Sequence, residues 1–174
     1  MDTTTKSIAR FLTFNHYRPV VLCIGTDLVI GDAFGPLVGE LLRKKYDARC
    51  FVYGTLDAPV TALNLDRYIR LIRSSHKNSK NIAVDSALGK SEDIGKISAK
   101  EGSIKPGLAT GKNLSAVGDF SVVMTVGDIT KPNALSSVRL GFIYRSADKV
   151  ASALSLALSQ VSSSSLQYYD ITSL

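Results

Sequence analysis

The alternation of apolar and polar positions divides the chain into short buried strands and amphipathic helices. Val20–Ile24 is an unbroken apolar run, the pattern of a strand covered on both faces. Gly25, Gly31 and Gly35 punctuate the loop that follows. From Phe34 apolar residues recur at 34, 37, 38, 41 and 42, one face of a helix. Pro36 suits its first turn, and Lys44 and Lys45 suit its negative end. A second strand is predicted over 49–53, then a helix with Pro59 in its first turn that closes at the polar run 74–81. Ile82–Val84 reads as a third strand delivering Asp85 at its end. Glycines then break up 86–118, leaving a strand over 95–99 and a long ordered loop over 103–114. A strand over 121–126 and a long helix over 133–161, with Gly141 as a kink or break, complete the pattern. Strand and helix in alternation predict an α/β fold around a mostly parallel sheet. Residues 1–18 lack clean periodicity and read as a flexible arm, 19–161 as one domain, and the serine-rich 162–174 as a mobile tail.

Composition narrows the class without choosing a function. The 174 residues suffice for one core, and no apolar run approaches the roughly 18 residues of a membrane span. Cys23 and Cys50 lie in apolar runs, as reduced core residues do, which predicts a reducing, cytoplasmic setting. The net charge of +6 is scattered over helix ends and loops without aromatic interleaving, so no nucleic-acid contact is predicted. With Lys6 and Arg10 but no apolar core segment, the arm is not expected to be a secretory signal.

The candidate chemistry lies where a parallel sheet gathers its loops, at the carboxyl ends of its strands. That rule brings Asp27 and Asp32 after the first strand together with Asp57 after the second and Asp85 after the third. Two aspartates within hydrogen-bonding reach share a proton, so one activates water while the other polarises a carbonyl. Asp57 also suits a helix cap, and Asp27 suits a brace for the glycine turn. Asp32 is also favourable near a helix start. Gly25, Gly31 and Gly35 lack dinucleotide spacing, although a phosphate at the helix N-terminus near 34–37 stays open. His16 and His76 follow no core strand. Lys105 and Gly107 stand in the long loop, where the lysine can offer a cation to a substrate carbonyl and an ordinary turn is the plainer reading. No metal or cofactor is predicted.

Four stretches, IGTDLVIGDAFGPLVGELL (24–42), YGTLDAPVTALNL (53–65), AVDSALG (83–89) and SIKPGLATGKNL (103–114), resemble the YyaC-type sporulation proteins. That family is similar in turn to the spore germination protease and, more distantly, to the hydrogenase maturation proteases. The likeness spans roughly 18–158 and implies a three-layer α/β/α, phosphorylase/hydrolase-like fold. It implies that Asp32, in Asp32-Ala33-Phe34-Gly35-Pro36, and Asp85, in Val84-Asp85-Ser86-Ala87-Leu88, are catalytic. Ile104-Lys105-Pro106-Gly107 echoes a protease loop, with lysine in place of histidine. Asp27, Asp57, Gly31, Lys105 and Gly107 then become candidate substrate-binding residues. The maturation proteases bind nickel through two carboxylates and a histidine; Asp32 and Asp57 match the carboxylates and no histidine here matches the third ligand. The implied activity is a sporulation endopeptidase in the forespore or spore core, with small acid-soluble spore proteins as substrates. A non-catalytic peptide-binding protein using the same cleft is the alternative.

Overall fold

Successive residues of a strand face opposite ways, and the first strand uses both faces. The computed structural model describes residues 3–12, 17–107 and 115–166, the side chains of 161–166 aside. In β1 (Val20–Cys23) Val21 and Cys23 enter one apolar cluster, whereas Val20 and Leu22 enter another on the opposite side of the sheet. The first cluster is covered by α1 (Thr3–Leu12), α2 (Phe34–Lys44) and α4 (Leu140–Leu166), and the second by α3 (Leu65–Ser75). The sheet is completed by β2 (Phe51–Tyr53), β3 (Asn81–Gly89), β4 (Ile97–Glu101) and β5 (Phe120–Asp128). Its order is β2-β1-β3-β5-β4, parallel except for β4, which pairs antiparallel to β5 at the edge. This is a three-layer α/β/α sandwich. After β1 the chain crosses to β2 on one side, and from β2 it returns past β1 to β3 on the other. The crevice of such a sheet therefore opens between β1 and β3.

Several elements differ from the sequence pattern for physical reasons. The expected flexible arm contains a packed helix: Ile8, Phe11 and Leu12 of α1 are buried, and Phe11 stacks on Phe120 with ring centroids 4.9 Å apart. The Lys80 ammonium donates to the Phe11 carbonyl at the negative end of α1. Thr3, Thr4 and Thr5 make up its first turn, which shortens the apolar stripe visible in the sequence. α3 starts at Leu65, beyond Pro59, because Val60 instead bridges Ile24 and extends the sheet. α4 starts at Leu140 because Asn133 takes a left-handed φ of 54° within a turn over 132–136; the helix then runs through Gly141 to Leu166, into the expected tail. The rest of that tail, and 108–114 of the long loop, lie outside the described residues. β3 continues past Val84 to Gly89, so Asp85 is interior to the strand.

The β1–α2 loop is fixed by close backbone approach. Gly25 has φ +139°, and a Cβ there would sit 2.0 Å from the Asp32 carbonyl oxygen. A Cβ on Gly35 would sit 2.1 Å from the Ile24 carbonyl oxygen. Both obstacles are backbone and cannot rotate away. Gly35→Ala is expected to cost about 3 kcal/mol, which for a chain of this size lowers Tm by roughly 6–12 °C. Gly141→Ala, where the nearest foreign atom is the flexible end of Arg145, is expected to leave Tm unchanged or raise it. Thermal unfolding by circular dichroism checks both, and an unchanged Tm for Gly35→Ala contradicts the packing described.

Candidate active site

β3 outruns β1. Val84 is the last β3 residue paired with β1, opposite Cys23, while β3 keeps pairing with β5 as far as Gly89. From Asp85 onward the β1-side edge of β3 has no strand partner among the described residues. The β1–α2 loop turns across the end of β1 instead, and its 3-10 turn, Ile30–Ala33, brings Asp32 to this edge. A cavity of about 230 Å³ lies there, with Asp32, Asp85 and Ser86 among its lining residues. Ala87, Leu88, Val123 and Leu135 supply apolar wall, and Ile104, Lys105 and Gly107 reach it from the loop after β4.

Asp85 is 8% exposed. Burial, and after it the charge of Asp32, push its carboxyl up to about 8, against the lowering effect of the Ser86 backbone N–H. That N–H donates to Asp85 Oδ1 over 2.9 Å. Asp32 is also raised by burial, but the Ser86 hydroxyl and the Thr26 backbone N–H favour its charged form. The Ser86 hydroxyl donates to Asp32 Oδ1 over 3.5 Å, a long hydrogen bond. Ser86 therefore serves both carboxyls, one through its backbone and one through its side chain. Burial and the charge of Asp32 thus favour the neutral form of Asp85, while the Ser86 hydroxyl and the Thr26 N–H favour the charged form of Asp32. Of two such carboxyls, the ionised one can take a proton from water while the protonated one donates a hydrogen bond to a carbonyl oxygen.

The other candidates are distributed unevenly. Lys105 is exposed and lines the cavity, as does Gly107 at a left-handed φ of 73°. Gly31 is buried behind it, its N–H donating to the Leu135 carbonyl over 2.8 Å. This bond draws the 129–139 segment against the loop that bears Asp32. The structure does not bring Asp27 or Asp57 to the cavity. Asp27 is exposed in the loop. Asp57, 81% exposed, pairs with Lys44 across 3.4 Å, because the chain after β2 turns away toward Val60. It is not placed as a second carboxylate ligand beside Asp32. Among the described residues no group of three or more His, Cys, Asp or Glu is positioned to hold a metal ion. His76 accepts or donates a 2.7 Å bond with the Tyr53 hydroxyl, and His16 lies outside the described residues. Phe34–Leu37, the proposed phosphate seat, are all buried at the α2 start, and Pro36 has no N–H to give.

Ser86, Leu88, Val123 and Leu135 were not expected at the site. Ser86 was legible in principle, since a residue next to Asp85 on an exposed strand edge stays at the same crevice. Leu135 was not, because only the backbone bond to Gly31 places it there.

Comparison with known proteins agrees with this architecture. Among solved structures, a NiFe hydrogenase maturation protease, HycI from Thermococcus kodakarensis KOD1, superposes with a TM-score of 0.56 at 18% identity, over 87% of this chain and 98% of that one. The likeness is one of fold. A relative in Bacillus subtilis (strain 168), YyaC, described as uncharacterized, is 40% identical over 139 residues, 79% of this chain and 68% of its own length. A family model described as "Protein of unknown function (DUF1256)" matches residues 2–153, from the start of α1 well into α4, and the chain belongs to that family.

Proposed function

We propose that the protein is a sporulation-associated endopeptidase that hydrolyses peptide bonds with Asp32 and Asp85. The observation that carries this reading is a pair of carboxyls lining one cavity, the charge of one raising the pKa of the other, beside a strand edge that has no strand partner among the described residues. An extended peptide can add to such an edge through main-chain hydrogen bonds, which would lay an amide across the pair. Asp32, ionised, takes a proton from water as its oxygen attacks the amide carbon. Asp85, protonated, donates to the carbonyl oxygen as negative charge develops there. Collapse of the tetrahedral intermediate breaks the C–N bond and returns a proton to the leaving amine. Lys105 and Gly107 contact the chain on either side. The fold shared with a maturation protease supports a protease-like scaffold, and the resemblance to sporulation proteins supplies the setting in the forespore and the candidate substrates.

Small acid-soluble spore proteins incubated with the purified protein are expected to yield discrete fragments by mass spectrometry. Asp32→Asn and Asp85→Asn are each expected to lower kcat by roughly 10²–10⁴ while the circular dichroism spectrum is kept. kcat/KM is expected to fall as pH rises through about 8, where Asp85 loses its proton. Absence of fragments from folded native protein favours a peptide-binding protein that uses the same cleft without cutting.

The same proton sets a stability trend. The folded pKa of Asp85 is raised above its unfolded value, so the folded state binds the proton more tightly. Its stabilising contribution is complete below the unfolded pKa, about 4, and is lost as pH rises toward 8. Urea unfolding of the native protein is expected to show falling stability over that window, with a limiting slope of about 1.4 kcal/mol per pH unit for one proton. Asp85→Asn is expected to flatten it. Equal slopes for the two proteins contradict a raised Asp85.

A further inference from the structure

A second hollow lies on the other side of the segment that walls the cleft. Leu135 faces the Asp32/Asp85 cavity, whereas Ala134 and Val138, its near neighbours, line a separate cavity of about 470 Å³. The partition is thin. Leu88, which lines the first cavity, and Ala134, which lines the second, both lie against Gly127. The floor of the second hollow is apolar, made by Ile94, Val126, Ala134, Val138 and Phe142. Ile94 leaves 44% of its surface exposed there. An exposed apolar side chain over an apolar-floored hollow is a mark of a binding surface.

The charges at its rim are unequal. Asp128, the acidic group that lines it, is already occupied: its carboxylate accepts bonds from the Ser91 hydroxyl and from the Thr130 N–H and hydroxyl, which hold it down at about 2. Lys131 also acts on Asp128, without forming an ion pair with it. The acids of the neighbouring turn have their own lysines, Glu92 with Lys90 at 3.8 Å and Asp93 with Lys96 at 3.4 Å. Arg139 lines the hollow and has no acidic partner among the described residues. It stands just before α4, whose first turn carries no acidic residue and whose helix dipole adds positive potential. An apolar floor under a basic rim is complementary to an apolar side chain flanked by carboxylates.

We infer that this hollow is an accessory docking site for an acidic segment of the protein's substrate. That segment would place one apolar side chain against Val138 and Phe142, with neighbouring carboxylates on Arg139 and Lys131. The inference rests on the proposed peptidase reading only in naming the occupant a substrate; the docking itself does not depend on cleavage. A site one wall away from the carboxyl pair would hold a long chain in place while a scissile bond settles at Asp32 and Asp85.

The test is fluorescence anisotropy with short labelled peptides containing one leucine among glutamates. Saturable, salt-sensitive binding is expected, at least tenfold weaker when serine replaces the leucine and lost when lysines replace the glutamates. Both rim positions are exposed, so Arg139→Glu with Lys131→Glu is expected to fold and to weaken binding at least tenfold. Asp32→Asn is expected to bind as the native protein does, which separates docking from hydrolysis. Unchanged binding by the charge-reversed variant, equal binding of the lysine peptide, or loss of binding in Asp32→Asn would each overturn the inference. So would self-association of the native protein that the charge reversal abolishes, since the hollow would then belong to a second copy.

Discussion

The site depends on the burial of one carboxyl, that of Asp85, beside another. In water two aspartates ionise near pH 4 and repel weakly; here burial makes the charged form of Asp85 costly, and Asp32 makes it costlier. The surroundings are arranged to tolerate this. A backbone N–H meets Asp85, a hydroxyl of the same serine meets Asp32, and Gly25 lets the loop close on the Asp32 backbone. One residue, Ser86, thereby joins the two halves of the pair.

That arrangement follows from unequal strand lengths. β1 stops at Cys23 while its neighbour β3 continues to Gly89, supported by β5 alone. A cavity opens in the space β1 leaves, and the loop from β1 is drawn over it. The apolar layers do the positioning: α2 packs through Phe34, Val38 and Leu42 on one face, and Leu65, Ile69 and Ile72 of α3 pack on the other. The 129–139 segment is tied to the loop by the Gly31–Leu135 backbone bond, so one piece of chain walls both hollows.

Much of this was legible in the sequence where local pattern and global fold agree. The run Val20–Ile24, the glycine loop and the stripe from Phe34 defined the β1–α2 unit, and the strand-end rule brought Asp32 and Asp85 to one crevice. The same rule misled for Asp57, because it assumes that a loop stays over its strand; the chain after β2 instead spends Val60 on a bridge to Ile24. It also misled for Asp27, which shares a loop with Asp32 yet points to solvent. Periodicity missed α1 because threonine occupies a buried position, Thr5, on its inner face. It ran α4 too far toward its start because apolar spacing cannot reveal the left-handed turn at Asn133. The second hollow had no local signal, since its floor joins Ile94 to side chains spaced irregularly along 126–142.

The most direct test is a carboxyl-carbon NMR titration of protein labelled with ¹³C at aspartate, assigned through Asp32→Asn and Asp85→Asn. The account predicts one carboxyl titrating with an apparent midpoint near 8, assigned to Asp85, whose midpoint falls when Asp32 becomes asparagine. Two carboxyls titrating independently near 4, each unaffected by substitution of the other, would contradict it.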